Sequence, residues 1–221
     1  KGVSQNYEEA FKWYKKSAEQ GDKYSQNRLG FMYYAGKGIV QDYQEAFKWY
    51  KKAAEQGDKY SQYLIGHMYY KGEGVTQNNE EAFKWYKKAA EQGYEIAQYW
   101  LGNMYYNGEV GNVSNLIAAY EWYKKAAEQG HKNSQFVLGN MYYNGQGVVA
   151  NNEEAFKWIK KAAEQGHADA QCSLGLLYYK GEGVEHNYEE AFKWCKKAAE
   201  QGNEIAKKYL VILFMVNLGK P

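Results

Sequence analysis

Proline is nearly missing from the 221 residues; the one that occurs is Pro221. Nothing of that kind interrupts helices in the body of the chain. Cysteine is scarce as well: Cys172 and Cys195 are the only two. That is too few for a disulfide framework and leaves the redox compartment open. An excess of one charge sign is also missing. Lys and Arg number 28 against 26 Asp and Glu, a formal net charge of +2, which excludes a dedicated nucleic-acid binder built on a strong basic excess. No apolar run nears the ~20 residues that cross a bilayer, and the most apolar stretch, Leu210 to Val216, is far shorter. There is no secretory leader and the chain opens at Lys1 instead of a methionine, the pattern expected of an excised piece or a mature product. No segment alternates polar and apolar residues over a useful length, so strands are not expected.

Signatures of chemistry are lacking too. The four histidines, His67, His131, His167 and His186, form no H-E-x-x-H or Cys/His grouping, so neither a metal nor another cofactor is expected. No serine has a lysine three residues on and no Lys-Thr-Gly occurs, which removes the penicillin-recognising hydrolase pattern. There is no P-loop and no Gly-x-Gly-x-x-Gly after a strand. His131 and His167 stand just past equivalent glycines and read as surface cap residues. Cys195 replaces a core-facing tyrosine, so buried free thiols are expected.

What is present is repetition. Trp13, Trp49, Trp85, Trp122, Trp158 and Trp194 are separated by 36, 36, 37, 36 and 36 residues. Gly21, Gly57, Gly93, Gly130, Gly166 and Gly202 keep the same steps. So do the glycines of the Leu-Gly or Ile-Gly pairs, Gly30, Gly66, Gly102, Gly139 and Gly175. The one extra residue lies in Gly108-Glu109-Val110-Gly111, where other copies read Gly-x-Gly. An insertion confined to a loop is what stacked units tolerate. Six units are read, near 2–37, 38–73, 74–110, 111–146, 147–182 and 183–218, the last divergent, within a single domain 1–221.

Each unit predicts two helices. In the Trp helix, Ala46, Trp49, Tyr50, Ala53 and Ala54 share one face. Asp42 with Glu45 has capping-box spacing, as have Asn6 with Glu9, Asn151 with Glu154 and Asn187 with Glu190. Gly57 supplies the left-handed stop. In the Leu-Gly helix, Ser61, Ile65, Met68 and Tyr69 share a face, and the mid-helix Gly66 reads as a point of close helix approach. The Lys pairs, such as Lys51-Lys52, sit near glutamates on the Trp helix and read as a solvated outer face.

These residues carry a resemblance. Ser61-x3-Ile65-Gly66-x2-Tyr69-x2-Gly72-x-Gly74-Val75, followed by Ala82-x2-Trp85-x3-Ala89-Ala90-x2-Gly93, resembles the Sel-one-like repeat family, a branch of the tetratricopeptide-like superhelical repeats. The resemblance covers essentially the whole chain. It implies an all-α fold, a right-handed α/α superhelix or solenoid of about six 36-residue helix-turn-helix repeats. It also implies that Leu-Gly helices line a concave surface and Trp helices the convex side. Some cysteine-rich relatives are linked to β-lactam binding, but their paired cysteines are absent here. The fourth unit departs at Leu116-Ile117-Ala118, and in the tail Val211 stands where the close-approach glycine belongs.

Positions that vary between copies are free of the stacking duty. On the Leu-Gly helices these form four series. They are Tyr24, Tyr60, Ile96, Asn133, Asp169; then Asn27, Tyr63, Tyr99, Phe136, Cys172; then Phe31, His67, Asn103, Asn140, Leu176; then Ala35, Lys71, Asn107, Asn144, Lys180. They share one helical face, which the resemblance makes the concave one, flanked by Tyr70, Tyr106 and Tyr143. Asn103 with Asn107, and Asn140 with Asn144, are matched pairs at i, i+4. Such amides both donate and accept and suit the backbone of an extended peptide, while Tyr and Phe supply apolar contacts. Five helices at about 9–10 Å make a strip for roughly 12–15 extended residues.

The partner-binding residues expected are therefore Tyr60, Tyr63, His67, Tyr70, Lys71, Tyr99, Asn103, Tyr106, Asn107, Phe136, Asn140, Tyr143 and Asn144. The function expected is a non-enzymatic scaffold for a protein or extended peptide. Glycan binding in the same groove is the alternative, and a hydrolase is remote. Self-association through Tyr209, Ile212, Leu213 and Met215 is a further expectation for the apolar tail, beside the simpler one of truncation. Nucleic acid and membrane insertion are not expected. For a bacterial member the resemblance implies an envelope or secreted setting, and the compartment stays open.

Overall fold

A computed structural model describes residues 6–218, and among them every regular element is an α-helix. The Trp helices are α1 (Tyr7–Glu19), α3 (Tyr43–Glu55), α5 (Asn79–Glu91), α7 (Leu116–Glu128), α9 (Asn152–Glu164) and α11 (Tyr188–Glu200). The Leu-Gly helices are α2 (Lys23–Ala35), α4 (Lys59–Lys71), α6 (Glu95–Asn107), α8 (Lys132–Asn144) and α10 (Ala168–Lys180), with α12 (Glu204–Leu218) as the divergent last one. The two kinds alternate in helix-turn-helix repeats. They gather into two compact units, one up to Val113 and one from Ser114. The division falls beside the inserted loop residue, where Asn112 takes a left-handed φ of 56°.

Local chemistry explains the helix starts. Asn6, Asp42, Asn78, Asn115, Asn151 and Asn187 accept from a backbone N–H of the first turn, satisfying donors the helix itself leaves open. At Asp42, Asn151 and Asn187 the returning bond of the capping box is replaced by another. The cap N–H groups instead donate to the previous Leu-Gly helix: Asp42 to the Tyr33 carbonyl, Asn78 to Tyr69 and Asn151 to Tyr142, each at 2.9 Å. The glutamates are thereby released, and Glu81, Glu154 and Glu190 take Lys84, Lys157 and Lys193 at 2.6, 2.7 and 2.9 Å.

Two glycines set the stacking. At Gly66 an added Cβ would lie 2.8 Å from the Tyr86 ring and 3.2 Å from the Ala82 carbonyl oxygen, so α4 rests directly on α5. Gly74 has φ 68° and lies against the backbone of Tyr43, leaving no room for a side chain. Tyr50 and Tyr86 are fully buried by this approach, a gain of ~1.5–3 kcal/mol for each such side chain.

Buried glutamines join successive repeats, a feature the sequence reading missed. Gln62 Nε2 donates to the Ala54 carbonyl at 3.1 Å, and its oxygen accepts from Gln92 Nε2 at 2.7 Å. Gln26 with Gln56, Gln135 with Gln165 and Gln171 with Gln201 repeat the link at 2.8, 2.8 and 2.7 Å. The Lys pairs also differ from a plainly solvated face. The second lysine of the pair lies over the repeat tryptophan, Lys52 on Trp49, Lys88 on Trp85 and Lys161 on Trp158 at 4.0 Å.

Cys172 and Cys195 are free and buried, as expected. In α12, Leu213 is buried at 3 % exposure among Cys172, Ala191, Cys195 and Ala198, so it belongs to the core and not to an outer contact surface. Tyr209 is half-buried and meets Tyr179 edge-on at 6.2 Å. Ile212 and Met215 do point outward, with Val211 and Phe214. Among the described side chains the apolar surface of α12 is thus set by those four with Ile205, and Leu213 is corrected to an interior role.

Candidate functional site

The four variable series lie on one face because helical periodicity puts them there, while the Gly, Ala and Leu positions face the stack; Cys172 departs from the expectation, buried against α11 and α12 and so taking part in the packing. In the first unit Tyr60, Lys71 and Asn107 are exposed, and Tyr63, His67, Tyr70, Tyr99, Asn103 and Tyr106 are partly exposed. In the second unit Asn144 is exposed, and Phe136, Asn140 and Tyr143 are partly exposed. None is buried in the core.

Much of the first unit's face is nevertheless engaged with itself. The centre is Trp100, which the sequence reading did not single out. Its indole lies 5.5 Å from His67, 5.4 Å from Tyr70 and 6.1 Å from Tyr86, nearly parallel to the last at 13°. Tyr63 stacks on His67 at 5.9 Å and meets Tyr94 edge-on at 5.4 Å. Burial raises the Tyr63 phenol, against a hydrogen bond from the Trp100 indole. His67 Nδ1 is 3.2 Å from the Tyr86 hydroxyl, and burial holds its pKa below 6.5, so the ring is neutral near pH 7. The signal was available: of seven tryptophans, Trp100 is the one off the 36-residue lattice.

The flanking tyrosines are tethers. Tyr34 Oη donates to Glu73 at 2.8 Å, Tyr70 to Glu109 at 3.3 Å and Tyr143 to Glu182 at 2.7 Å. Each hydroxyl thereby holds the turn of the next repeat. Burial and the Glu73 carboxylate push the Tyr34 phenol up to about 12. Asn107 Nδ2 also donates to Glu109, at 2.9 Å, so that amide is already occupied.

Beside this cluster a cavity of about 470 Å³ opens between α2, α4 and the start of α6, lined by Tyr24, Arg28, Asp58, Tyr60, Tyr63 and Tyr94 among others. Arg28 Nε donates to Tyr24 Oη at 3.0 Å and its guanidinium lies 5.0 Å from the ring centre. Tyr24 and Tyr60 are 56 % and 52 % exposed. The cavity therefore offers exposed aromatic rings, one of them covered by the Arg28 guanidinium, beside a carboxylate, Asp58, that accepts from the Ser61 N–H at 2.8 Å. Arg28, Asp58 and Tyr94 were missed because they lie outside the four series.

Burial pushes the Cys172 and Cys195 thiols up to about 11 and 12, so neither supplies thiolate near neutrality. His131 and His167 cap α8 and α10, each Nδ1 accepting a backbone N–H, at 3.3 and 3.2 Å. Among the described residues no group of three or more His, Cys, Asp or Glu is placed to hold a metal ion. No described helix is long and apolar enough to cross a membrane.

Comparison with known proteins agrees with the helix pairs. The Sel1 repeat model matches residues 1–22, 23–58, 59–94, 96–131, 132–167 and 168–203, with repeats that open on the Leu-Gly helices. The structure is similar to a Sel1 repeat protein from Oxalobacter formigenes, at 34 % identity and a TM-score of 0.84, covering 97 % of this chain and 86 % of the other. It is also similar to c5321, a protective antigen of uropathogenic Escherichia coli strains with an SLR fold, at 36 % identity and a TM-score of 0.70. All of this chain aligns there but only 55 % of the antigen, so the chain spans about half of that protein. Immunity protein Pa5087 of Pseudomonas aeruginosa shares the fold at 24 % identity and a TM-score of 0.51, over 85 % of this chain and 68 % of the other. No curated protein matches the sequence.

Proposed function

The chain belongs to the Sel1 repeat family, and from that premise we propose that it is a binding scaffold without catalytic chemistry, holding an extended segment of a partner protein on the exposed face of its Leu-Gly helices. The observation that carries this reading is a division of labour. Residues common to the repeats form the core, while the variable aromatic and amide residues stay open to solvent. Open aromatic rings and Arg are the side chains that dominate protein-binding energy where they become buried. The cavity beside Tyr60 and Arg28 is the first place to look, with Asn140 and Asn144 of α8 as backbone partners.

The test is selection of displayed peptides on the full chain, followed by titration of the selected peptides. Tyr60→Ala with Arg28→Ala should weaken binding by about ten-fold or more. Unchanged affinity in that variant, and in Asn103→Ala with Asn140→Ala, would overturn the named face. Glycan binding is the second reading, favoured by the flat exposed rings of Tyr24 and Tyr60 beside Asp58 and Arg28. A glycan array run with the peptide screen separates the two. Association of two copies through Ile212 and Met215 completes the partner proposal, and light scattering that gives a monomer at high concentration removes it.

A further inference from the structure

The geometry points to a pocket in the second compact unit that takes one phenylalanine or tyrosine side chain of the bound partner. The inference rests on the scaffold reading in one respect, that the ring belongs to a partner protein.

The argument is a comparison within the molecule. Position 173 is the repeat equivalent of position 100, one step of 37 and one of 36 residues further on. By the same steps His67, Tyr70 and Tyr86 correspond to Asn140, Tyr143 and Ile159. In the first unit the Trp100 indole fills the space between those three side chains. In the second unit the residue is Ser173, and a cavity of about 180 Å³ is found, bounded by Asn140, Tyr143, Ile159 and Ser173. The chain thus shows, in one copy, the ring that the other copy lacks.

Size and chemistry fit that occupant. A closed apolar cavity of ~150 Å³ binds benzene; this one has a similar volume but opens to solvent past Asn140, Lys180 and Glu182, so it takes a ring offered from outside. Ile159 and Leu177, both buried, form the apolar floor, while Lys180 is exposed at the rim. The Tyr143 wall is pinned by its hydroxyl on Glu182 at 2.7 Å, and Lys180 Nζ lies 3.4 Å from the same hydroxyl. Ile159 packs directly on Gly139, where an added Cβ would meet it. Asn140, partly exposed beside the cavity, can pair with the partner's backbone. One difference selects the ring. The Trp100 indole has the Tyr63 phenol as a hydrogen-bonding partner, and the equivalent of Tyr63 is Phe136. A buried indole N–H would lose its acceptor there, so Phe or Tyr is preferred to Trp.

The test uses p-cresol as the ring probe on the full chain, followed by NMR titration, with cyclohexanol as the non-aromatic control. Saturable p-cresol binding that is weakened about ten-fold or more by Ser173→Trp, or by Ser173→Leu should the first variant not fold, supports the pocket. Ser173→Ala should leave binding within about two-fold. No saturable binding by the parent chain, or binding that Ser173→Leu leaves intact, overturns it. Peptides selected on the parent chain should carry a Phe or Tyr and lose affinity on Ser173→Leu. Peptides that bind the variant equally well overturn the anchor while the scaffold reading stands. If p-cresol follows the variants and no peptide is selected, the pocket is supported and the scaffold reading fails.

Discussion

At Gly66 the absence of a methyl group lets α4 lie on the Tyr86 ring. Gly66→Ala gains helix propensity of ~1 kcal/mol, but it drives a Cβ into a packed ring and toward a backbone oxygen that cannot rotate away. The overpacking should win, giving a net loss of about 1–2 kcal/mol, read as a lower thermal midpoint. A midpoint equal to the parent would show that Tyr86 gives way. Acid acts at His167, whose Nδ1 caps α10 and whose pKa burial holds below 6.5, with Asp169 opposing and Lys132 assisting. The native state disfavours the protonated ring. The associated stability is therefore complete above pH 6.5 and is lost as pH falls further. His67 contributes in the same direction. His167→Asn keeps an acceptor that does not titrate, so it should recover part of the stability lost as pH falls below 6.5. Denaturation curves of the two proteins that stay parallel with pH would remove His167 as the titrating cap.

Between helices, the links are of two kinds. Caps and glycine stops depend on residues three or four apart, so Asn151 with Glu154 or Gly57 after α3 could be placed from spacing alone. The glutamine link joins side chains 30 residues apart, and its presence depends on which rotamer the stack allows. Gln62→Leu removes two side-chain hydrogen bonds, one to the Ala54 carbonyl, which keeps the Gly57 N–H, and one from the exposed Gln92 amide, at a net cost of about 0.5–1.5 kcal/mol for each. Gln92→Leu, at an exposed position, should cost less, and a double-mutant cycle should show coupling of about 0.5–3 kcal/mol. Additive losses in chemical denaturation would mean the link is ornamental. The site had the same limit. Its facing residues followed from helical period, but the engagement of Tyr70 and Tyr143 by glutamates 39 residues on did not.

At the scale of the whole molecule, repeats within a compact unit pack on their neighbours, so a local loss should stay local. In Gly66→Ala, hydrogen exchange should quicken in α4 and α5 while α9 and α10 keep their protection. Exchange that rises equally in both compact units would mean that they unfold as one. Sequence alone determined the all-helical repeat, its caps, its close-approach glycines and the face left variable, because each of these is a matter of residue type at short spacing. Tertiary structure alone decided that Trp100 turns onto His67 and Tyr86, that Leu213 enters the core, that lysines lie over tryptophans, and that Ser173 leaves a space. Those outcomes depend on which side chains from separate helices reach the same volume, and only close packing settles that.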